Sequence, residues 1–95
     1  MAWLIIVTVA LAVSAACVRA GEPAPLALDE IAPGNYVHYG SHAERSPHNL
    51  GDNANIGFIV GERCVAVIDT GGSLPVGRAL RAAIRQVTAL PVCYV

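Results

Sequence analysis

The chain has 95 residues, of which 55% are apolar and 14% are charged. Six arginines and no lysine stand against seven carboxylates, which gives a formal net charge of −1 at pH 7. A phosphate-binding surface needs a clustered excess of basic residues, so the composition excludes nucleic acid as a partner.

The leading segment, residues 1–20, contains only three residues that are not apolar. Such a run, followed by small residues at a cleavage position, is typical of a secretory signal peptide. Val18 and Ala20 supply the small residues, and helix-breaking Gly21 follows. We therefore predict a signal peptide over residues 1–20, cleavage after Ala20 and a periplasmic or secreted product.

Two alternatives for the leading segment stay open. The first is an uncleaved anchor, because about 17 apolar residues are at the low end of what spans a bilayer. The second is a lipoprotein signal that acylates Cys17, although residues 14–17 lack the branched apolar residue usual three positions before the cysteine. In each case the folded domain lies outside the cytoplasm, and the only membrane contact is through the signal or a lipid on Cys17.

Residues 21–34 contain three prolines and read as an extended leader without chemistry of its own, so the domain proper is assigned to residues 35–95. Residues 35–39 alternate in a pattern that favours a first strand. Residues 41–55 are polar and rich in Asn, Asp, Gly and Pro, which predicts a long loop. A loop of that length in a compact domain is usually functional.

Residues 56–60 and 64–68 are short apolar runs on either side of Gly-Glu-Arg, which predicts a β-hairpin. The second run is apolar at five consecutive positions. Since a strand that is buried on both faces shows such a run, we expect a sheet covered on both sides.

A helix is predicted after Ser73, which stands at the N-cap position with Pro75 in the first turn. One apolar stripe at helical period follows, formed by Val76, Leu80, Ala83, Ile84 and Val87. Pro91 prevents the helix from continuing, and residues 90–95 read as another strand. Strand, helix and strand make a βαβ unit with parallel strands, so the fold class is α/β, a hairpin followed by βαβ.

A phosphate-binding loop is rejected for residues 72–79. Their spacing after a strand is similar to such a loop, but Arg78 and Ala79 stand where the motif needs lysine and a hydroxyl.

Three histidines, His38, His42 and His48, raise the alternative of a metal site. The pattern does not favour one, because Gly40 argues against the helix that would align the first two. We interpret all three as solvated loop and strand-edge residues.

Cys64 and Cys93 are expected to stay free thiols. Side chains offset by about two residues on neighbouring strands lie about 7 to 8 Å apart at Cβ, whereas a disulfide requires about 3.8 Å.

Asp69 ends a buried apolar strand just before a double-glycine turn. In α/β folds the carboxyl ends of strands form the site, which makes this carboxylate a candidate functional residue. The alternative is that Asp69 only caps the turn by accepting backbone hydrogen bonds.

Four segments of the chain together resemble the opening of a metallo-β-lactamase-fold hydrolase. They are residues 55–61, the strand and turn over residues 65–73 with its Asp-Thr-Gly, the amphipathic helix that follows, and residues 90–95. With the signal peptide, the chain is particularly similar to periplasmic zinc metallohydrolases associated with quinoprotein dehydrogenases. The resemblance implies the N-terminal part of an αββα sandwich, incomplete here. It also implies that Asp69 supports a zinc site from behind, with Thr70, Gly71 and Gly72 as its turn.

The resemblance further implies a hydrolase that uses zinc to act on a small-molecule substrate of unidentified type. The family's His-x-His-x-Asp-His ligands lie just beyond a strand like residues 90–95, and none is present in this chain, so no catalytic or metal-ligating residue is assigned in it. We therefore expect zinc in a full-length family member and an inactive fragment or truncated product here. The alternative is a small exported non-catalytic binding domain, lipid-anchored or not, that pairs through an open sheet edge.

Overall fold

The computed structural model describes residues 23–95, so the predicted signal peptide, its cleavage position and Cys17 lie outside the described residues. The described part has an α/β fold of one five-stranded sheet and one helix. The elements are β1 Asp29–Ala32, β2 Asn35–His38, β3 Ile56–Val60, β4 Val65–Ile68, α1 Leu74–Val87 and β5 Val92–Tyr94.

The strands lie in the sheet in chain order, from β1 to β5. The pairs β1–β2, β2–β3 and β3–β4 are antiparallel, and β4–β5 is parallel. The predicted β3–β4 hairpin is confirmed: Val60 pairs with Val65, and the Gly61 N–H donates to the Cys64 carbonyl oxygen at 2.9 Å. The predicted parallel β4–α1–β5 crossover is also confirmed.

The helix begins where the sequence predicts. The Ser73 hydroxyl accepts a hydrogen bond from the Val76 N–H at 3.3 Å, and this N-cap satisfies one of the free donors of the first turn. The apolar stripe packs on the sheet, except that Val87 in the last turn is 36% exposed. Sheet and helix share one core cluster, formed by Ile56, Phe58, Val65, Val76, Leu80 and Ile84.

Only one face of the sheet is covered within residues 23–95. Val65 is fully buried against the helix side, but Ile68 in the same strand is 58% exposed. Ile31 and Ile59 are also exposed large apolar side chains. The prediction of a sheet covered on both sides is therefore wrong for the described part, and a row of apolar side chains faces outward.

The predicted leader is extended, but part of it belongs to the sheet. Asp29–Ala32 forms β1, and Gly34, at φ +76°, makes the turn into β2. Glu30 pairs with Tyr36 across the two strands, and a hydrogen bond to the Glu30 carboxylate raises the pKa of Tyr36. The Leu26 N–H donates to the Ala79 carbonyl oxygen at 3.2 Å, which ties the leader to the helix.

The β4–β5 pairing is irregular. Val65 pairs with Val92, but Ala66 pairs with Tyr94, so Cys93 is the extra residue of a β-bulge. Both Cys64 and Cys93 are free. Among residues 23–95, no helix is both long enough and apolar enough to cross a membrane.

Candidate functional site

Asp69 lies in the turn that follows β4, in the left-handed backbone region at φ +61°. Its Oδ1 accepts a hydrogen bond from the Gly71 N–H at 2.9 Å, and the residue is exposed. Aspartate is one of the few residues that adopts this conformation readily, because its short side chain bonds to the nearby backbone. Within the described residues, Asp69 thus acts as the turn cap that the sequence offered as the alternative.

The double-glycine turn is a docking surface for the long loop. A Cβ on Gly72 would lie 2.6 Å from the Gly51 carbonyl oxygen, so only glycine allows the two backbones to approach this closely. The Ser73 hydroxyl donates to the Leu50 carbonyl oxygen beside this contact. The predicted loop over residues 41–55 therefore packs on the end of β4, a contact that local sequence patterns do not reveal.

Asn49 holds the loop in one shape. Its Oδ1 accepts hydrogen bonds from the Ser46 and Gly51 N–H groups, both at 3.0 Å. Its Nδ2 donates to the Glu44 carbonyl oxygen at 2.8 Å. One amide side chain satisfies three backbone groups of the loop, which explains how a segment without helix or strand keeps a fixed position.

His38 is buried, so its interpretation as a solvated histidine is wrong. Its Nδ1 lies 2.8 Å from the Ala27 carbonyl oxygen, and its Nε2 lies 2.8 and 2.9 Å from the two carboxylate oxygens of Asp52. Because a carbonyl oxygen only accepts hydrogen bonds, the Nδ1–H donates to Ala27, and Nε2 faces the Asp52 carboxylate. The pair joins the leader, β2 and the long loop.

The other two histidines, His42 and His48, are exposed in the loop, as the sequence predicts. His42 lines an open depression of about 570 Å³ together with Gly40 and Asn53. Within residues 23–95 there is no group of three or more His, Cys, Asp or Glu side chains placed to hold a metal ion. Since both ring nitrogens of His38 already have partners, residues 23–95 by themselves do not fit zinc.

The turn after β4 lies close to the end of β5. Thr70 and Val95 line the same apolar cavity of about 750 Å³, together with Val67 of β4 and Val92 of β5. Leu80 and Ile84 of the helix form its other wall. Of the predicted turn residues, the structure thus places Thr70 on the same cavity as Val95, the residue that follows β5.

Comparison of the chain with family models, curated proteins and solved structures finds no match.

Proposed function

We propose that this chain forms the N-terminal part of an exported zinc-dependent hydrolase of the metallo-β-lactamase fold. In this proposal residues 23–95 supply half of the sandwich and the supporting turn at Asp69. The zinc ligands come from a His-x-His-x-Asp-His segment that follows β5, and the 95 residues alone are inactive.

The observation that carries the proposal is the shared cavity of Thr70 and Val95. A chain that continues from β5 emerges next to the Asp69 turn, because parallel neighbouring strands end at the same edge of a sheet. The Asp69 carboxylate has one oxygen, Oδ1, bonded to Gly71. The remaining acceptor capacity is available to orient a ligand loop, as carboxylates behind metal sites do.

The outward apolar face supports the same proposal. Ile31, Ile59 and Ile68 are between 41% and 61% exposed on the sheet face away from α1. A contiguous exposed apolar face of this kind marks a surface that another layer covers. A second sheet packed on this face would complete an αββα sandwich.

Export is part of the proposal, and it rests on the sequence of residues 1–20. The N-terminal peptide of the mature product should begin at Gly21. A product that retains Met1 without membrane association contradicts export, and a diacylglycerol group on Cys17 identifies a lipoprotein.

The test is to read the coding DNA beyond the codon for Val95. The proposal predicts a Thr-His-x-His-x-Asp-His sequence within a few codons, in the same or a shifted frame. A downstream region without that motif in any frame contradicts the proposal and favours the alternative of a small non-catalytic binding domain. That alternative rests on one feature, the edge strand β5, whose three residues are all exposed.

A further inference from the structure

We propose that His38 is a pH-sensitive switch that controls the long loop over residues 41–55. The loop is held on the sheet while the imidazole carries a proton on both ring nitrogens, and it opens when Nε2 loses its proton. The proposal concerns residues 23–95 themselves and does not depend on the zinc hydrolase.

The partners of the His38 ring decide which protonation state fits the site. The Nδ1–H donates to the Ala27 carbonyl oxygen at 2.8 Å, so this nitrogen holds the single proton of a neutral ring. Nε2 lies 2.8 and 2.9 Å from the two carboxylate oxygens of Asp52. A neutral ring therefore turns a lone pair toward an ionised carboxylate, and two acceptors at this distance repel each other. A second proton, on Nε2, converts the same contact into a charge-assisted hydrogen bond.

Within residues 23–95, the hydrogen-bond contacts of the ring include one ionisable group. The leader contributes a backbone carbonyl oxygen, and β3 contributes Ile56, which pairs with His38 in the sheet. The long loop contributes the Asp52 carboxylate. On β2 itself, Tyr36 is engaged by Glu30. The other ionisable residues of β1 and the loop are exposed, namely Asp29, His42, Glu44, Arg45 and His48.

Asp52 connects the ring to the rest of the loop. Its backbone carbonyl oxygen accepts from both the N–H and the hydroxyl of Ser41 at 2.9 Å, so the two ends of the loop meet there. The Asp52 N–H donates to the Asn49 carbonyl oxygen at 2.8 Å, and Asn49 carries the hydrogen bonds that shape the loop. Because the His38 side chain is only 9% exposed, water is a poor replacement for Asp52 at Nε2. Loss of the ring contact therefore loosens Asp52 and the segment bonded to it.

The direction of the pH dependence follows from these contacts. Histidine ordinarily gains or loses a proton between about pH 5 and 8, whereas an aspartate carboxylate stays ionised across that range. The contact is therefore attractive at the acidic end of the range and is lost as the pH rises through it. The loop covers the turn after β4, where the Leu50 carbonyl oxygen accepts from Ser73 and Gly51 packs on Gly72. Opening of the loop uncovers this turn at higher pH.

The experiment measures amide hydrogen exchange by NMR in the full 95-residue chain, at about pH 5.5 and about pH 8.5, on either side of the ordinary histidine range. Each rate is compared with the intrinsic rate of the same residue at the same pH, which removes the base catalysis of exchange itself. The loop is followed at Ser41 and Leu50, whose N–H groups are hydrogen-bonded within it. Buried Leu80 and Ile84 of α1 report that the chain stays folded. The ¹⁵N shifts of the His38 ring report its protonation state.

Two variants test the assignment. Asp52→Asn places an amide opposite the ring, and an amide can donate to an unprotonated Nε2 or accept from a protonated one. The loop of this variant should therefore be held equally at both pH values. His42→Gln removes an exposed histidine of the same loop and is the matched control, so its pH dependence should equal that of the parent chain.

We expect loop protection in the parent chain and in His42→Gln to fall at least about tenfold between the two pH values, as the loss of one charge-assisted hydrogen bond requires. The fall should follow the loss of the Nε2 proton of His38, while α1 stays protected. A ring that keeps one protonation state, or a ring that titrates without a change in loop protection, would overturn the proposal. So would unprotected α1 amides at the higher pH, a fall that Asp52→Asn retains, or a fall that His42→Gln abolishes. The ring shifts of the parent chain need no variant, so they decide the proposal even where Asp52→Asn does not fold.

Discussion

The imidazole of His38 and the carboxylate of Asp52 are joined through Nε2 at 2.8 Å, with the histidine side chain 9% exposed and the aspartate side chain 30% exposed. Asp52 belongs to the long loop, whereas His38 ends β2. The other ring nitrogen of His38 bonds to the Ala27 carbonyl oxygen. A single buried side chain therefore fixes two irregular segments to the sheet.

The first prediction is that Asp52→Ala lowers the free energy of unfolding by about 1 to 3 kcal/mol, since it leaves a buried Nε2 without its acceptor. The measurement is the urea unfolding midpoint of the 95-residue chain. Glu62→Ala, at an exposed position in the β3–β4 turn, is the matched control and should change stability by less than about 0.5 kcal/mol. Equal effects of the two substitutions would show that the pair does not hold the loop.

The second prediction compares two glycines near the Asp69 turn. Gly72→Ala places a Cβ against the Gly51 carbonyl oxygen, and this overpacking should cost about 1 to 3 kcal/mol. Gly77→Ala places a Cβ inside α1 with its nearest neighbour, the Thr70 carbonyl oxygen, at 3.6 Å. This helix substitution should add about 0.5 to 1 kcal/mol. Unfolding curves in which both variants move in the same direction would contradict the close packing of loop and turn.

The third prediction separates the two roles of Asp69. In the 95-residue chain, Asp69→Asn should leave stability within about 0.5 kcal/mol, because asparagine also adopts the left-handed region and accepts from Gly71. Asp69→Ala should cost about 1 to 2 kcal/mol. In a protein extended through the zinc ligands, Asp69→Asn should weaken zinc affinity about 10- to 100-fold. Unchanged zinc affinity of that variant would leave Asp69 as a turn cap alone.

The fourth prediction concerns the pH dependence of alkylation at Cys64. Because the thiolate is the reactive form, a raised pKa moves the alkylation profile to higher pH. Cys93→Ala removes the first cause of that shift, the side-chain hydrogen bond, so the Cys64 midpoint should move to lower pH. The rate of iodoacetamide alkylation at Cys64 is measured across a pH range for both proteins, and the midpoints of the two pH profiles are compared. The plateau rate at high pH is the control for access of the reagent to the thiol. An unchanged midpoint would contradict an interaction between the thiols.

Sequence reasoning predicts the elements whose signals are local. The β3–β4 hairpin follows from β-branched runs around a glycine-containing turn, and the start of α1 follows from Ser73 and the apolar stripe. Burial of His38 was not predictable, because it depends on Ala27 and Asp52, which are distant in sequence. The exposure of Ile68 was not predicted for a related reason. An apolar run indicates a strand that is suited to burial on both faces, but it does not show whether residues 23–95 contain the element that packs on the second face.

At the candidate site, the Asp69 turn could be located from its Asp-Thr-Gly-Gly sequence, but its surroundings could not. The contact of Gly51 with Gly72 and the anchoring of the loop by Asn49 involve backbone groups far apart in the chain, for which single residues give no local signal. The bulge at Cys93 likewise depends on how β5 meets β4. These are the tertiary features on which the site's shape rests.

The most direct test of the proposed function is the intact mass and zinc content of the native product. An antibody raised against the exposed loop over residues 41–55 can capture this product from the source cells, and zinc is then measured by plasma mass spectrometry. We predict a mass well above the 9.8 kDa of the 95 residues, with at least one zinc per chain. A captured product of 9.8 kDa or less that carries no zinc would contradict the assignment to a zinc hydrolase.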